Sequence, residues 1–314
     1  MRRFSRTGLA VMAIATAFSV TACGEESAKK SATSADGGSK AVAGELTDDI
    51  SKGVAVDPAA EKLLPEDVRK TGKLVIADDL TSPPIEFLAS DNKTPIGFDV
   101  DIMRLIAAKL GLELEIKNVK FDTIIPGLEG GRFDLTVSSM SATPDRLKVL
   151  DMIDYFSNGS SIAVQYGNPN KLTTDNLCGK SIAVQSGSVQ QIVRLPELSQ
   201  KTCESQGKPA IKAVSLPNVQ NALTQVASRR IDGVFYDTPS LVWADTQQPK
   251  TFEVLKPQVT TSDNAVGLQK NSPLTPAVQA ALQSIIDSPK YQEALDRWGI
   301  TAQGIDKATI SAAE

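Results

Sequence analysis

The sequence contains no histidine and only three cysteines in 314 residues. Catalytic triads with a histidine base, cysteine–histidine pairs and histidine-containing metal sites are therefore excluded, because each of them needs an imidazole. The residues that remain suggest neither a metal site nor a cofactor, although carboxylate chemistry stays possible. A formal net charge of −4 also argues against a nucleic-acid partner, which would require a basic surface.

The one long apolar run lies near the N-terminus, over residues 9–20, and follows Arg2, Arg3 and Arg6. A cationic start followed by about a dozen apolar residues is typical of an export signal. The run is shorter than the roughly 20 residues that a membrane-spanning helix needs, so we expect residues 1–22 to be a signal peptide that is removed. General secretion fits the pattern better than twin-arginine export, which the adjacent Arg2 and Arg3 leave open.

Cys23 directly follows the small residues Thr21 and Ala22 at the expected cleavage point. This arrangement resembles the lipobox of bacterial lipoproteins, which implies that Cys23 is the lipidated first residue of the mature chain. The alternative is an ordinary signal peptide followed by a chance cysteine. Residues 23–68 are rich in small and polar residues without apolar periodicity, which predicts a flexible tether with at most a short helix at its end. We therefore expect an exported protein held by lipid on the outer face of the cytoplasmic membrane.

If Cys23 carries lipid, Cys178 and Cys203 are the remaining thiols of an exported chain. Exported proteins fold in an oxidising compartment, which favours a disulfide between these two residues. Closing a loop of about 25 residues would contribute on the order of 3 kcal/mol to stability. Two separate buried thiols are the alternative.

Short β-branched runs alternate with helical patterns along the rest of the chain, which predicts an α/β fold with mainly parallel sheets flanked by helices. In the first unit, strands are predicted at 73–77, 112–116 and 133–137, and helices at 99–110 and 122–130. In the second unit, strands are predicted at 181–184, 211–214 and 233–236, and helices near 189 and at 219–228. The closing segment has one strand at 265–268 and helices at 276–286 and 291–298.

The closing segment has too few strands to form a unit of its own, so we expect it to return to the first unit. This organisation predicts two lobes that are joined by two crossing strands. The predicted ranges are 69–156 with 264–303 for lobe 1, 157–263 for lobe 2 and 304–314 for a C-terminal tail.

Hydroxyl-bearing residues follow the third predicted strand and lead into a helix at Thr143 and Pro144. Threonine is a favourable N-cap, and proline is a favourable first helical residue. Because ligands of parallel α/β sheets bind at the carboxyl ends of strands, the hydroxyls, the helix amides and the guanidinium of Arg146 could together bind a carboxylate. Alternatively, Arg146 is a surface residue that pairs with Asp145 or Asp151.

Asp237 directly follows an apolar strand of the second unit. It therefore also lies at the carboxyl end of a strand, where it could bind an ammonium group across a cleft from Arg146. The alternative is a purely structural role, with Asp237 as the N-cap of the next helix.

Several ordered motifs, from about Gly72 to Gly299, resemble the polar amino-acid-binding family of ABC importer receptors. This family includes the glutamine, histidine and lysine/arginine/ornithine binding proteins. The motifs that carry the resemblance lie at residues 74–79, 84–87, 97–101, 121–126, 131–134, 138–146, 183–188 and 232–239. The resemblance implies a type II periplasmic-binding-protein fold with a two-stranded hinge near residues 155–159 and 260–264.

By this resemblance, Arg146 binds the α-carboxylate of the ligand with help from Ser139 and Ser141, and Asp237 binds the α-ammonium group. The resemblance also implies a group of residues around the side chain of the ligand: Asp79, Ser82, Phe121, Ser138, Gln185, Ser188 and Tyr236. Ser82 departs from the family pattern, which has an aromatic residue at this position. The missing ring removes one stacking surface. Asp79 and Ser138 could receive a cationic or amide side chain, and no second arginine is evident for an acidic one, so a polar neutral or basic amino acid is favoured.

The expected function is that of a monomeric extracytoplasmic receptor, not an enzyme, which delivers an amino acid to an ABC permease and its ATPase. One alternative is an exported enzyme on the same scaffold, similar to cyclohexadienyl dehydratase. It would need a buried acid, for which Glu86 and Glu129 are the nearby candidates. Another alternative is a signalling or adhesion lipoprotein that does not take part in transport.

Overall fold

The structure is a computed structural model that describes residues 46–312. The predicted signal peptide, the lipidation of Cys23 and the predicted tether up to residue 45 lie outside the described residues. Within residues 46–312, no helix is long and apolar enough to cross a bilayer.

The described residues form ten α-helices. These are α1 (Pro58–Lys62), α2 (Glu66–Thr71), α3 (Phe98–Leu110), α4 (Ile124–Glu129), α5 (Pro144–Val149), α6 (Leu195–Thr202), α7 (Val219–Ala227), α8 (Thr238–Gln247), α9 (Thr275–Ile286) and α10 (Pro289–Arg297). Short 3₁₀ turns lie at Phe121–Thr123, Glu204–Gln206 and Thr301–Gln303. A π-helical turn, Gln190–Arg194, leads directly into α6.

Twelve strands complete the described part of the chain. These are β1 (Lys73–Asp78), β2 (Thr81–Ser82), β3 (Glu86–Leu88), β4 (Pro95–Ile96), β5 (Glu113–Asn118), β6 (Leu135–Ser141), β7 (Leu150–Gln165), β8 (Ser181–Gln185), β9 (Lys212–Leu216), β10 (Gly233–Asp237), β11 (Phe252–Val254) and β12 (Thr260–Gln269).

The main sheet has the strand order β5–β1–β6–β12–β7–β10–β8–β9, and β11 pairs with β7. Strands β5, β1 and β6 run parallel at one end, and β10, β8 and β9 run parallel at the other. The long strands β7 and β12 are antiparallel to each other and connect the two parallel sets. The segments predicted as a hinge lie in these two strands, where Ser160 pairs with Thr260 and Phe156 with Asn264.

We call the part built on β1, β5 and β6 lobe 1, and the part built on β8, β9 and β10 lobe 2. A buried apolar cluster that includes Leu74 and Phe98 fills lobe 1, and one that includes Ile182 and Phe235 fills lobe 2. The two clusters share no residue, so each lobe has its own core. This arrangement is the α/β fold of the type II periplasmic binding proteins. The residue boundaries given above for the lobes stay a prediction.

Helix α3 shows how the local sequence sets an element of lobe 1. Gly97 precedes it with φ of 130°, and an added Cβ would lie 2.2 Å from the carbonyl oxygen of Ile85. Only glycine tolerates this backbone conformation and this close approach. Gly111 ends the helix in the left-handed conformation with φ of 68°, which agrees with the predicted end of the helix.

The structure differs from the predicted tether over residues 46–68. Ile50, Ala60 and Leu64 are buried in the core of lobe 1, and Arg297 pairs with Asp48 at 2.8 Å. Isolated apolar residues that fill separate gaps produce no periodicity in the sequence, which is why the pattern indicated a tether. The described part of this segment therefore packs against the core of lobe 1.

The predicted C-terminal tail also packs on lobe 1. Ala308 is buried, Ile310 forms a β-bridge with Ile153, and the backbone N–H of Ser311 donates to the carbonyl of Met152 at 2.8 Å. The described part of the tail is therefore a short addition to β7.

The predicted disulfide is confirmed. Cys178 and Cys203 are bonded, with their Cα atoms 5.4 Å apart, and Cys203 lies in the core of lobe 2. The bond connects the segment before β8 to the end of α6.

Candidate functional site

A small cavity of about 10 Å³, which is space for roughly one water molecule, lies where strands of both lobes end. Its walls come from the carboxyl ends of β6, β8 and β10, from the 3₁₀ turn Phe121–Thr123 and from the π-helical turn. The lining residues are Phe121, Ser138, Ser139, Ser141, Arg146, Gln185, Ser188, Val189, Gln190, Tyr236 and Asp237. A larger surface groove of about 380 Å³ on lobe 2 contains none of the predicted site residues.

Ser139 has an unusual backbone conformation at the end of β6, with φ of 45°. Its N–H donates to Oδ2 of Asp99 at 2.9 Å, and Oδ1 of the same carboxylate accepts from the hydroxyl of Tyr155 at 2.7 Å. Asp99, which is fully buried, therefore holds Ser139 in a backbone conformation that non-glycine residues rarely adopt. The 97–101 motif thus supports the site through Asp99, without lining the cavity.

Arg146 projects from the first turn of α5 into the cavity. Thr143 caps this helix by accepting from the Arg146 N–H at 3.3 Å. The guanidinium donates to the carbonyl of Ser141 at 2.7 Å and, across the cavity, to the carbonyl of Gly187 at 2.9 Å. Its carbon lies 5.7 Å from the centre of the Phe121 ring, within range of a cation–π interaction.

The surface alternative for Arg146 disagrees with the structure. Arg146 is 4% exposed, whereas Asp145 pairs with Lys148 at 2.6 Å and Asp151 pairs with Lys270 at 3.3 Å. Burial lowers the pKa of Arg146 to about 10. The side chain therefore stays positively charged at neutral pH.

Asp237 faces Arg146 from lobe 2. Its Oδ1 accepts from Nε2 of Gln190 at 2.7 Å, and its Oδ2 accepts from the hydroxyl of Ser139 in lobe 1 at 3.1 Å. The side chain makes no capping hydrogen bond to α8, so the purely structural alternative lacks its defining contact. Burial raises the pKa of Asp237 to about 6, which leaves the group mostly ionised at neutral pH.

Asp79 lies behind the far end of the cavity and is buried. Its Oδ2 accepts from Nε2 of Gln185 at 2.8 Å and from the Phe121 N–H at 3.2 Å, while Oδ1 accepts from Thr81 at 3.0 Å. Burial raises the pKa of Asp79 to about 6. The predicted pocket residue is thus one layer behind Gln185, to which it is directly bonded.

Tyr236 connects the same end of the cavity to Ser82. The two hydroxyls are 2.6 Å apart, and the Tyr236 hydroxyl also donates to Oε1 of Gln185 at 3.1 Å. Ser82 therefore lies outside the lining, where it fixes Tyr236. Ser138 and Ser188 line the cavity as predicted residues, and the Ser138 hydroxyl accepts from the Asp79 N–H at 3.2 Å.

Sequence reasoning missed several residues at the Asp237 end of the cavity. Gln190 and the apolar Val189 line the cavity, and Asn264 donates to the Ser139 hydroxyl at 2.7 Å. A second buried arginine, Arg194, bonds to Ser160 and to Ser262. No sequence pattern indicated these contacts, because they depend on a π-helical turn and on the pairing of β7 with β12.

The two acids considered for an enzyme are placed differently. Glu86 is buried beside Asp99 and Asp78, and burial together with these like charges raises its pKa well above the usual range. It does not line the cavity. Glu129 is an exposed residue at the end of α4.

The geometry of the site agrees with the comparison to known families. A family model described as bacterial extracellular solute-binding proteins, family 3, matches residues 74–301. The chain belongs to this family. The family 3 assignment confirms the resemblance to amino-acid-binding receptors that the ordered motifs predicted.

Relatives of this family 3 protein include arginine-binding proteins. The arginine-binding protein ArgT of Corynebacterium glutamicum is 29% identical over 254 residues, which cover 81% of this chain and 83% of that protein. The ABC transporter arginine-binding protein 1 of Escherichia coli K12 is 29% identical over 223 residues, or 69% of this chain and 87% of that protein.

Solved structures of similar proteins share the fold of this family 3 chain. An ancestral arginine-binding protein bound to arginine is 28% identical, with a TM-score of 0.65, over 72% of this chain and 98% of that one. The ancestral amino acid-binding protein AncCDT-1, a precursor of cyclohexadienyl dehydratase, is 25% identical, with a TM-score of 0.66, over 76% of this chain and 99% of that one.

Proposed function

We propose that this protein is an extracytoplasmic receptor that binds an α-amino acid with a cationic or amide side chain and delivers it to an ABC permease and its ATPase. The observation that carries the proposal is the placement of Arg146 and Asp237. One guanidinium and one carboxylate, from different lobes, line the same cavity. Their charges complement the carboxylate and the ammonium group that all α-amino acids share.

The far end of the cavity supports a cationic or amide side chain. Gln185 lines this end and Asp79 lies directly behind it, and Asp79 carries most of a negative charge at neutral pH because its pKa is about 6. Neither Arg146 nor Arg194 is bonded to residues of this end. The arginine-binding relatives make L-arginine the first ligand to test.

Closure of the two lobes is the proposed binding step. Four contacts join the lobes around the cavity: Ser139 to Asp237, Arg146 to Gly187, Asp79 to Gln185, and Ser82 to Tyr236. A ligand that supplies further contacts to both lobes would stabilise the closed arrangement and shift the population toward it. The paired segments of β7 and β12 would act as the hinge, and the permease would recognise the closed form.

The membrane attachment is proposed from the sequence. Cys23 would carry the lipid, and the residues up to 45 would separate the folded lobes from the outer face of the membrane. Mass spectrometry of the mature protein from cells should find a diacylated Cys23 at the N-terminus. An unmodified N-terminus at this or another residue would contradict the anchor without affecting the ligand site.

Calorimetric titration tests the proposed ligand class. We expect saturable one-to-one binding of L-arginine or L-lysine, weaker binding of L-glutamine and no measurable binding of L-glutamate. Because ligand stabilisation of the folded state grows with the logarithm of ligand concentration over the dissociation constant, a thermal-shift screen of the twenty amino acids should give the same order. Equal stabilisation by all of them, or by none, would contradict the proposal.

We also propose that the protein is not an enzyme, and that it acts as a monomer. Glu86, the buried acid that an elimination would need, lies outside the cavity lining. Incubation with prephenate or arogenate should therefore give no product. Turnover of either compound, with loss of activity in Glu86→Gln, would favour the enzyme.

A further inference from the structure

Arg194 is a buried cation that does not line the cavity described above. It ends the π-helical turn of lobe 2 and is 9% exposed. Its guanidinium donates to the hydroxyls of Ser160 in β7 and Ser262 in β12. A buried charge is costly unless other groups compensate it, and the carboxylates whose charge acts on Arg194 are those of Asp237 and Glu197.

We propose that Arg194 is a positioning residue of the ammonium subsite, which acts on Asp237 through its charge and through the orientation of Gln190. This inference rests on the proposed function of that subsite. Arg194 touches neither the cavity nor a ligand bound in it, so its effect must pass through Asp237.

The first path from Arg194 to Asp237 is short. The Ser160 hydroxyl accepts from Arg194 and also from Nε2 of Gln190 at 2.9 Å. The same nitrogen of Gln190 donates to Oδ1 of Asp237 at 2.7 Å. Arg194 fixes the Ser160 hydroxyl, which accepts one hydrogen of the Gln190 amide group. The other hydrogen of that amide group is therefore directed at the Asp237 carboxylate.

The second path passes through the crossing strand β12 and the carboxyl end of β6 in lobe 1. Its successive donors and acceptors are Arg194, Ser262, Ser141, Asn264, Ser139 and Asp237. The Ser141 hydroxyl donates to Asn264 at 3.2 Å, so it must accept from Ser262. All of these bonds therefore point from the guanidinium toward Oδ2 of Asp237, and the two paths close a ring.

The π-helical turn makes the first path possible. The N–H of Leu195 donates to the carbonyl of Gln190, five residues earlier. This wider turn places Gln190 and Arg194 together on Ser160. Such turns are rare and occur often at functional sites.

The charges around Asp237 explain why it needs a cation behind it. Burial raises the pKa of Asp237 to about 6, and the charge of Arg194 is the largest influence that opposes this rise. Arg146 faces Asp237 from the other side of the cavity. The charge of Asp237 in turn raises the pKa of three nearby groups, Glu86, Asp99 and Tyr236. Without Arg194, Asp237 would take up a proton near neutral pH and lose its attraction for an ammonium group.

Binding of L-arginine, measured by calorimetry from pH 5.5 to 8.5, tests the role of Arg194. In the wild type, affinity should fall as the pH drops through about 6, because protonated Asp237 no longer attracts the ammonium group and protonated Asp79 no longer attracts the cationic side chain. We call the pH range over which affinity falls the acid limb. Arg194→Gln should move this acid limb upward by about one pH unit, so that at a pH within it the variant binds roughly tenfold more weakly than the wild type. Arg194→Lys keeps the charge and should keep the limb in place. Lys201→Gln removes an exposed charge from the same helix and should behave as the wild type.

Titration of the Asp237 side chain by NMR, without amino acid, separates the two proposals. Arg194→Gln should raise the midpoint of Asp237, which Asp237→Asn identifies by removing the signal. An unchanged midpoint, or an acid limb that stays in place while affinity falls at every pH, would overturn the role of Arg194 and leave the amino-acid site intact. Failure of the wild type to bind any amino acid would overturn the proposed function, whereas the midpoint would still decide the role of Arg194.

Discussion

The two ends of the cavity hold charge in different ways. At the zwitterion end, Arg146 and Asp237 are bonded to backbone carbonyls and to neutral side chains, so two opposite charges remain available to a ligand. At the side-chain end, the single carboxylate of Asp79 is bonded to Gln185, Thr81 and a backbone N–H. In the proposed function, the first end would recognise what all amino acids share, and the second end would select among them.

Loss of a charge at the zwitterion end should have the largest effect. Arg146→Ala and Asp237→Ala should each weaken binding of every amino acid by at least about 2 kcal/mol, or about 30-fold, because a buried charged partner is removed. Calorimetry with L-arginine and L-glutamine measures both effects. Lys148→Ala, on the exposed face of α5, is the matched control. Near-normal affinity in either site variant would mean that the zwitterion end does not bind the ligand through that charge.

Loss of the charge at the side-chain end should act selectively. Asp79→Asn keeps the shape of the side chain but removes its charge, so L-arginine and L-lysine should bind roughly tenfold more weakly while L-glutamine changes little. Asp175→Asn, at an exposed position of lobe 2 outside the cavity lining, serves as the control. An equal loss for all three ligands would show that Asp79 supports the structure of the cavity rather than its selectivity.

Support of the zwitterion end by Asp99 should appear in the pH dependence of stability. Burial raises the pKa of Asp99 to about 7, far above the value in an unfolded chain. The folded protein therefore binds the proton more tightly, and its free energy of unfolding should fall as the pH rises from 5 to 8. Urea unfolding at these pH values should show a smaller fall in Asp99→Asn. A wild-type stability that rises over this range, or a variant with the same fall, would contradict this placement of the proton.

Closure of the two lobes around the cavity should give the smallest effect, which is a change in tryptophan fluorescence. The ring of Trp243 in lobe 2 lies 6.2 Å from Phe87 in lobe 1, and Phe87 also contacts Trp298 at 5.7 Å. Saturation with L-arginine should change the tryptophan emission, and Trp243→Phe should lose most of that change. Trp298→Phe should retain it, since Trp298 and Phe87 belong to the same lobe. The reverse result would place the moving contact elsewhere.

The sequence predicted the charges of the zwitterion end because they follow local rules. Arg146 begins a helix behind a threonine cap, and Asp237 ends an apolar strand, so short segments determine both positions. Gln190, Arg194 and Asn264 escaped prediction because their roles depend on a π-helical turn and on strands that are distant in the chain. The buried residues of the predicted tether, such as Ile50, escaped for a similar reason, since each fills a gap in a core assembled from other segments.

The most direct test of the central claim removes Arg146 from the protein and the carboxylate from the ligand, separately and together, and compares the affinities. Agmatine has the side chain of arginine and an amino group but no carboxylate. Calorimetry should show that the wild type prefers L-arginine over agmatine by about 30-fold, and that Arg146→Ala binds both compounds with similar weak affinity. A variant that keeps the full preference for L-arginine would mean that another group binds the carboxylate, and the account of the site would be wrong.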